Sequence, residues 1–502
     1  MTARTLMIMG THSNAGKSIL VTALCRIFAQ MGYRVAPFKA QNMALTAGVT
    51  PEGHEIGRAT VAQAEAAGIP AHVDMNPVLL KPEGNARSQV VLNGRAHTHI
   101  EAHNWLELKN TLWPHVTTAL ARLRARHDLV IIEGAGSPAE INLKAGDIVN
   151  MRVARYARSP VLLTGDIDRG GVFAALVGTM ALLEPEERAL VKGFIINKFR
   201  GDVRLLGDGL QLLQERAYNT PTLGVIPDLA NIGVAEEDSV ALDEVRSAQA
   251  IEPAGQPVDI AVIRLPRISN FDDFDPLIAE AGVRVRFVER LDELGRPAAI
   301  ILPGSKMTVA DLTWLRETGL AGRIVSLARQ ETPVVGICGG YQLMGRSLFD
   351  PDGVEAAPGT RLEGLGLLPI DTTFVSAKRT MQVTATLFAG RGPFAELRAM
   401  PIQGYEIHMG RTEPAAGQHA PLCRIGAGAD AHPDGAVSAD GLMWGTYLHG
   451  LFDNNALRHA WLRSLGWQAP GQTFDRQVAY NRLADHVRRH LDLAAVQRII
   501  WE

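Results

Sequence analysis

The strongest constraint on the fold is a regular alternation of short apolar runs with longer amphipathic segments along the whole chain. In the first half, apolar runs that predict buried strands occupy residues 6–9, 34–38, 129–132, 161–164, 193–197 and 223–227. Between them lie segments with helical periodicity, such as 17–30 and 105–125. Because parallel strands need long crossover connections, this alternation predicts a mostly parallel sheet with helices on both faces.

A second alternating series follows a polar, proline-containing stretch at residues 244–257. Its predicted strands are 259–265, 283–288, 298–302 and 333–337. The chain has 502 residues, which is more than a single hydrophobic core organises. We therefore predict an α/β protein with two doubly wound, mostly parallel domains. The predicted boundaries are 1–240, a linker at 241–257, a second domain at 258–460, and a helical tail at 461–502 packed on the second domain.

The composition narrows the class of protein. The net charge of -3 gives no reason to expect binding to nucleic acid or to an anionic membrane. The three cysteines form no C-x-x-C pair, which argues against a disulfide framework or a zinc site and fits a reducing compartment. The apolar run at the start is too short for a signal peptide or a membrane span. We expect a cytoplasmic protein that acts on small molecules.

A glycine-rich loop joins the first predicted strand to the first predicted helix. Its sequence is Gly10-Thr-His-Ser-Asn-Ala-Gly-Lys-Ser18, with one residue more between its glycines than the common phosphate-binding pattern has. Such a loop turns backbone N–H groups toward phosphates, and the helix N-terminus adds partial positive charge. The loop residues predicted to bind ATP are Thr11, Asn14, Gly16, Lys17 and Ser18.

A carboxylate follows the predicted strand 129–132, in Glu133-Gly-Ala-Gly136. A carboxylate at a strand tip that faces the loop can hold Mg²⁺ together with the Ser18 hydroxyl. The longer loop and this motif resemble the dethiobiotin-synthetase-like branch of P-loop proteins. The resemblance implies that Glu133 is a magnesium ligand and that Asn197, after a later strand, contacts adenine. ATP and Mg²⁺ are therefore the expected cofactors.

Charged residues at other strand ends and loops of the first half are candidates for substrate binding. Lys39 ends the strand 34–38 and is predicted to neutralise a substrate carboxylate or the transferring phosphoryl group. Arg58 and Lys81 offer further cations that a polycarboxylate substrate needs. Asp166 follows the strand 161–164 and is predicted to orient substrate or magnesium.

A cysteine lies on a predicted strand-to-helix turn in the second half, in Gly336-Ile-Cys338-Gly-Gly-Tyr-Gln342. A nucleophile on such a turn is exposed, and its glycine neighbours let a substrate approach. The helix N-terminus favours the thiolate, and backbone N–H groups after the cysteine can hold an oxyanion. The pattern resembles class I glutamine amidotransferase domains, which implies that Cys338 is the catalytic nucleophile.

The predicted base for this thiol is His449, which follows a short apolar strand in Gly445-Thr-Tyr-Leu-His449. The class I resemblance implies an orienting glutamate two residues later, but that position is Leu451. The third member is therefore missing or comes from elsewhere. This departure resembles the cobalamin-type subgroup of these glutaminases, which is described as having a Cys–His pair. His408 is an alternative base. The resemblance also implies that the loop 303–306 helps to form the oxyanion hole.

Motifs over nearly the whole chain resemble the cobyric acid synthase family. They lie at residues 37–43, 55–59, 63–64, 75–82, 133–142, 166–173, 264–271, 404–408 and 445–450. The resemblance implies amidation of the b, d, e and g carboxylates of adenosylcobyrinic acid a,c-diamide to give adenosylcobyric acid. An acyl phosphate would be the intermediate, and glutamine would supply ammonia. The expected partners are the corrinoid polycarboxylate, glutamine and ATP, with no nucleic acid or membrane, and no oligomeric state is predicted.

Two other functions stay open at this point. Cobyrinic acid a,c-diamide synthase uses the same chemistry on different carboxylates, although its second domain usually opens with a different aromatic-rich run. A ParA-like nucleotide switch with a non-catalytic second domain belongs to a different class. The presence of both Cys338 and His449 argues against a switch. A switch would release no glutamate from glutamine.

Overall fold

The chain forms two compact units. The computed structural model describes residues 2–83, 87–101, 105–229, 234, 257–388, 390, 392–415, 420–428, 431–471 and 473–502. The first unit contains Met1–Ala44, His54–Asp238 and Asp475–Glu502, and the second contains Leu45–Gly53 and Ser239–Phe474. The predicted linker at 241–257 lies outside the described residues, except for Pro257. Within these ranges no helix has both the length and the apolar character that crossing a membrane requires.

The first unit is built on a parallel sheet of six strands. Their order is Thr222–Pro227, Val191–Phe199, Val161–Asp166, Arg4–Gly10, Leu129–Glu133 and Val35–Phe38. In the central strand Arg4–Gly10, Met7 and Met9 pack into one hydrophobic core, and Leu6 and Ile8 pack into the core on the opposite face. Burial on both faces explains why this strand is continuously apolar. The six predicted strands are confirmed.

Helices cover both faces of this sheet. They are Lys17–Gln30, Arg58–Ala67, Trp105–Arg126, Met151–Ala157, Val172–Leu182, Pro185–Arg188, Gly209–Arg216, Arg476–His490 and Leu493–Trp501. Short 3₁₀ helices occupy Val73–Met75, Lys144–Gly146 and Val203–Leu206. The chain leaves the central strand at the point where the strand order reverses, which is where open α/β sheets bind their ligands. The loop after Gly10 begins there.

A smaller four-stranded sheet in the first unit was not predicted. Its strands, in spatial order, are Gln41–Met43, Val78–Pro82, Arg87–Leu92 and Arg95–Glu101, and a short strand Glu55–Gly57 lies in the same unit. The last strand is exposed along almost its whole length. Its sequence therefore lacks the apolar alternation that identifies a half-buried strand.

The position predicted for the C-terminal tail is wrong for residues 475–502. These residues belong to the first unit, and helix Arg476–His490 packs on helix Lys17–Gln30. Leu483 and Val487 share a hydrophobic core with the strands of the first sheet. The Arg26 Nε atom donates to Asn481 Oδ1 over 2.8 Å. Helical periodicity shows which face of a helix is apolar, but it does not identify the surface that covers that face.

The second unit has its own parallel sheet with one antiparallel edge strand. The order is Val283–Val288, Val258–Ile263, Ala299–Leu302, Val334–Ile337, Met443–Thr446 and Ala436–Val437. The predicted strands of this half are confirmed. Because Val334–Ile337 and Met443–Thr446 are adjacent and parallel, their carboxyl ends lie together. Cys338 follows the first strand, and the segment with His449 follows the second.

A mostly antiparallel sheet completes the second unit. Its strands are Thr360–Glu363, Ser347–Asp350, Ile370–Leu387, Cys423–Ile425 and His432–Asp434, and Pro401–Pro414 pairs with Ile370–Leu387. The strand Ala47–Val49 also lies in this unit. The helices are Asp275–Ile278, Leu291–Leu294, Thr308–Glu317, Leu320–Ala328, Gly339–Leu343 and Asn455–Ser464, with 3₁₀ helices at Phe271–Phe274, Gly392–Leu397 and Leu451–Asp453.

Candidate active sites

The glycine-rich loop of the first unit has the backbone that its sequence predicts. Gly16 caps helix Lys17–Gln30 with φ at 89°, a left-handed conformation that glycine adopts without strain. A Cβ atom on Gly16 would come within 2.0 Å of the Asn197 Nδ2 atom. That amide donates to the Ala15 carbonyl over 3.1 Å. Asn197 therefore lies against the loop, beside the place predicted for a nucleotide.

Lys17 lies inside this loop. Its Nζ atom donates to the His12 carbonyl over 3.0 Å and to the Gly136 carbonyl over 3.3 Å. Gly136 belongs to the turn that follows Glu133, so the ammonium group connects the two predicted phosphate-side motifs. Thr11 and Asn14 are in the same loop, and Asn14 has a left-handed backbone with φ at 62°. The structure thus brings the predicted ATP-binding residues together, and their binding role stays a prediction.

Glu133 is buried at the centre of this site. Its Oε1 atom accepts from Ser18 Oγ and from Lys39 Nζ, both over 2.8 Å, and its Oε2 atom accepts from Gln63 Nε2 over 2.5 Å. Burial raises the pKa of Glu133, but the charge of Lys39 and the hydrogen bonds from Lys39, Ser18 and Gln63 outweigh it and lower the pKa. The carboxylate is therefore ionised, as a metal ligand must be.

The donor set fits a magnesium ion. Ser18 and Glu133 offer two hard oxygen atoms 2.8 Å apart, which suits neighbouring positions of an octahedral ion. Among the described residues no group of three or more His, Cys, Asp and Glu could form an all-protein metal cage. Magnesium typically uses one or two protein ligands and completes its shell with water and substrate phosphates.

Two of the predicted substrate residues are held by carboxylates. Arg58 Nη1 lies 3.0 Å from Glu65 Oε1, and Lys81 hydrogen-bonds Glu55. Both cations are buried. Buried cations are normally paired in this way, so the pairing agrees with a structural role as well as with a substrate role. Their predicted contact with substrate stays a prediction.

Asp166 ends its strand at the same edge of the sheet. Its Oδ2 atom lies 3.6 Å from Lys198 Nζ and 3.8 Å from Arg169 Nε, and its Oδ1 atom accepts the Asp168 amide over 2.9 Å. Asp166 is buried. These contacts orient the carboxylate and the cations around it, while the predicted role toward substrate or magnesium stays a prediction.

Cys338 in the second unit lies on a strained turn. Its φ is 50° and its ψ is -107°, between strand Val334–Ile337 and helix Gly339–Leu343. A Cβ atom on Gly340 would come within 1.9 Å of the Leu302 carbonyl oxygen, so only glycine permits this approach. Strain held in place by close packing is typical of functional positions. The Cys338 side chain is buried and not exposed as predicted, and its thiol donates to the Ile407 carbonyl over 3.6 Å.

His449 is the histidine that the fold places beside this thiol. Burial lowers the pKa of His449, but the charge and hydrogen bond of Asp273, with a hydrogen bond and charge from Cys338, raise it to about 10. The His449 Nδ1 atom lies 2.7 Å from Asp273 Oδ2. At neutral pH the imidazole is therefore protonated, and it can stabilise a thiolate at Cys338 and later donate a proton.

Asp273, which contacts the His449 imidazole, is a candidate site residue that the sequence interpretation missed. It lies in the 3₁₀ helix Phe271–Phe274 and is fixed by the Gly450 amide, which donates to Asp273 Oδ1 over 2.7 Å. The position where a class I glutamate would lie is Leu451, which is fully buried. The available signal was the acidic pair Asp272-Asp273 after the first strand of a parallel sheet.

His408, the alternative base, makes other contacts. Its Nδ1 atom lies 2.8 Å from the Gly410 carbonyl, its Nε2 atom lies 3.3 Å from Glu406 Oε1, and its ring stacks on Tyr447. Both ring nitrogens are thus engaged away from Cys338. The predicted oxyanion loop lies near His449, because a Cβ atom on Gly304 would come within 2.9 Å of His449 Cε1.

Comparison with known proteins connects these two sites to described families. Residues 6–240 match the family described as CobQ/CobB/MinD/ParA nucleotide binding domain. Residues 259–457 match the family described as CobB/CobQ-like glutamine amidotransferase domain. Each match contains one of the two clusters, the first with Lys17 and Glu133 and the second with Cys338 and His449.

Full-length relatives carry the name cobyric acid synthase. The protein from Dehalococcoides mccartyi (strain CBDB1) is 49% identical over 506 residues, covering 100% of this chain and 99% of the relative. That from Chloroflexus aurantiacus is 51% identical over 503 residues, covering 100% of both. That from Sorangium cellulosum is 51% identical over 520 residues, covering 100% of this chain and 99% of the relative. The chain therefore belongs to the cobyric acid synthase family, whose members are ligases that contain a glutamine amidotransferase domain.

Proposed function

We propose that this chain uses ATP and glutamine to amidate the b, d, e and g carboxylates of adenosylcobyrinic acid a,c-diamide, giving adenosylcobyric acid. The main support for this proposal is that Cys338, His449 and Asp273 lie together in the second unit. The first unit has a glycine-rich loop, of the kind that binds phosphate, beside Glu133. The family relationship supports the corrinoid substrate.

In the glutaminase reaction, the Cys338 thiolate attacks the side-chain amide carbon of glutamine. His449, protonated and held by Asp273, donates its proton to the departing nitrogen, so that ammonia leaves and a thioester remains. The now neutral His449 then takes a proton from water, which attacks the thioester, so that glutamate leaves and the Cys338 thiolate and protonated His449 are restored. Because the strained turn already holds the Cys338 side chain in one orientation, little further entropy is lost when the sulfur attacks the substrate.

A cavity of about 300 Å³, whose lining includes Tyr341, Glu406 and His408, is the proposed glutamine site. Glu406 and His408 are the sequence neighbours of Ile407, whose carbonyl accepts from the Cys338 thiol. Arg379 and Arg411 offer cations for an α-carboxylate, and Glu406 offers an anion for an α-ammonium group. Burial raises the pKa of Glu406, but the hydrogen bond and charge of His408, with Arg379, outweigh it and lower the pKa. The cavity is therefore suited to a zwitterion.

In the synthetase reaction, a substrate carboxylate attacks the γ-phosphoryl group of ATP, and ADP leaves. Ammonia then displaces phosphate from the acyl phosphate, giving the amide. Lys17 supplies positive charge from within the loop, and Lys39 is a buried cation that contacts Glu133. A magnesium ion held by Ser18 and Glu133 would neutralise phosphate charge.

Two variants test the division of labour. Cys338→Ala should abolish synthesis supported by glutamine and retain synthesis supported by high concentrations of free ammonia. Lys17→Ala should abolish both, because no activated carboxylate forms. ATP-dependent amidation that persists in Lys17→Ala would contradict the role of the loop, and loss of both syntheses in Cys338→Ala would contradict the thiol's role as ammonia source.

The substrate is tested by mass spectrometry of products formed from adenosylcobyrinic acid a,c-diamide, ATP and glutamine. Each amidation replaces a carboxyl hydroxyl by an amino group and lowers the neutral product mass by the mass difference between these two groups. Four successive decreases of this size are expected. A chain that amidates only cobyrinic acid at its a and c carboxylates would support the diamide synthase instead. Absence of glutamate release from glutamine would support the nucleotide switch.

A further inference from the structure

The segment Leu45–Gly53 belongs to the second unit, although the residues before and after it belong to the first. It follows shortly after Lys39, whose ammonium group contacts Glu133 in the candidate phosphate site. Thr46, Ala47, Val49 and Thr50 are all buried. A segment packed in one unit is therefore joined, over a few residues of chain, to a catalytic candidate of the other.

Two side chains of the second unit hold this segment by its backbone. The Asn270 Nδ2 atom donates to the Ala47 carbonyl, and the Gln382 Nε2 atom donates to the Val49 carbonyl, each over 2.7 Å. The Ala47 amide in turn lies 3.4 Å from Asn270 Oδ1. Because these bonds use the backbone of the segment, they follow the position of its main chain and not the identity of its side chains.

Asn270 also contacts both groups that hold the His449 imidazole. Its Nδ2 atom donates to the Tyr405 hydroxyl over 2.8 Å, and the Tyr405 ring stacks on the imidazole with centroids 5.3 Å apart. Its backbone carbonyl accepts the amide of Asp273 over 3.1 Å, and Asp273 binds His449 Nδ1. A displacement of Asn270 would therefore act on the imidazole through both Tyr405 and Asp273.

We propose that Asn270 is a positioning residue that couples the position of the segment Leu45–Gly53 to the position of the His449 imidazole. Binding of ATP and of the carboxylate substrate would thereby accelerate glutamine hydrolysis. The inference rests on the function proposed above. Displacement of a catalytic group by about 1 Å can cost about 10²-fold in rate, so a small movement of the segment suffices. Asn270 lies in the sequence motif at residues 264–271, to which the catalytic scheme above assigns no role.

The test compares two rates of glutamate release in the full-length protein, one with glutamine alone and one with ATP and adenosylcobyrinic acid a,c-diamide added. We expect the additions to stimulate the wild-type rate by about fivefold or more, the usual lower range of coupling between sites. Asn270→Gly and Asn270→Asp should reduce the stimulation to less than about twofold. Both residues accept the left-handed backbone of position 270, where φ is 52°, so the side-chain amide is the group tested.

Gln382→Ala provides an independent test, because Gln382 donates to the Val49 carbonyl of the segment, whereas Asn270 donates to the Ala47 carbonyl. It should also reduce the stimulation, while synthesis from free ammonia continues. Asn455→Ala is the matched control, since the Asn455 side chain accepts from Arg458 and from the Phe474 amide, away from the segment and from His449. Its stimulation should equal that of the wild type.

A purely structural role for Asn270 would lower both rates together and leave their ratio unchanged, and that result would overturn the proposal. A wild-type protein that amidates from free ammonia but shows no stimulation would also overturn it, while the proposed function stood. If the wild type forms no amide from either nitrogen source, the proposed function itself fails, and the coupling fails with it.

Discussion

At the scale of single residues, the glutaminase site depends on a carboxylate far away in sequence. Asp273 and His449 are separated by 176 positions, and their side chains meet at 2.7 Å with both groups buried. A buried charge that loses its partner is strongly destabilised, so this pair should be essential to the imidazole's orientation and protonation. Burial raises the pKa of the Cys25 and Cys423 thiols, so both stay protonated at neutral pH.

Asp273→Asn should lower glutamine-dependent synthesis by about 10²-fold or more, because the amide no longer stabilises the imidazolium. Synthesis from free ammonia should change little. The measurement is the ratio of the two synthetic rates. Asp272→Asn is the matched control at the neighbouring buried carboxylate, and it should have a much smaller effect because Asp273 is the residue that contacts His449 Nδ1. Equal losses in the two variants would contradict the role given to Asp273.

The raised pKa of His449 also predicts how stability depends on pH. Below pH about 6.5 the imidazole is protonated in both the folded and the unfolded chain, so the interaction with Asp273 contributes fully. As the pH rises toward about 10, the unfolded chain has already lost this proton, and the contribution disappears.

The test is urea unfolding of Cys338→Ala with and without Asp273→Asn between pH 6.5 and pH 10, followed by fluorescence. Trp444 and Trp461 are buried in the second unit and report its unfolding. The difference in the free energy of unfolding between the two proteins should decrease as the pH rises. A difference that stays constant over this range would contradict the assignment of the proton to His449.

At the scale of elements, both candidate sites lie where a strand turns sharply into a helix. Gly16 caps helix Lys17–Gln30 with φ at 89°, and Cys338 caps helix Gly339–Leu343 with φ at 50°. In the first case the proposed role of the turn is to present backbone N–H groups to phosphate, and in the second it is to present a thiol. Both turns are closed by atoms from elsewhere in the fold, namely the Asn197 amide and the Leu302 carbonyl.

Gly16→Ala should therefore destabilise the first unit more than Gly68→Ala does. Both glycines have a left-handed backbone, which costs an alanine about 1 kcal/mol. Only at Gly16 would the added Cβ atom also collide with Asn197, whereas at Gly68 nothing lies within 4 Å. Thermal unfolding of both variants, together with equilibrium binding of ATP, measures the difference. Equal stability and equal ATP binding would show that the loop moves away from Asn197 without cost.

At the scale of the whole molecule, the two units do not follow the two halves of the sequence. The first unit takes its last helices from residues 475–502, and the second takes Leu45–Gly53 from within the first half. Helix Arg476–His490 contributes Leu483 and Val487 to a hydrophobic core of the first unit. Residues 475–502 therefore contribute to the stability of the first unit, which contains the nucleotide-binding domain.

Val487→Asp should impair the first unit selectively, because a carboxylate in this apolar core costs at least about 2 kcal/mol. Synthesis from free ammonia should fall at temperatures where glutamine hydrolysis without ATP is still near its wild-type rate. Arg489→Asp introduces the same residue on the exposed face of the same helix and is the control. Selective loss of glutamine hydrolysis in Val487→Asp would instead agree with a tail packed on the second unit.

The sequence by itself determined the local elements and the residues at their ends. The strands, the phosphate loop with Lys17 and Ser18, and the turn with Cys338 follow from backbone sterics and apolar periodicity, which act over a few residues. His449 was predicted because it follows a short apolar strand and is bounded by glycine. The structure added that this strand pairs with the strand that precedes Cys338.

Only the tertiary structure decided which distant groups meet. It supplied Asp273 for His449, placed Gln63 on Glu133, docked the C-terminal helices on the first unit, and packed Leu45–Gly53 in the second. Each of these contacts depends on the shape and charge of a surface made by residues far apart in the chain. Local periodicity shows that a face must be covered or a charge must be paired, and the folded surfaces select the partner.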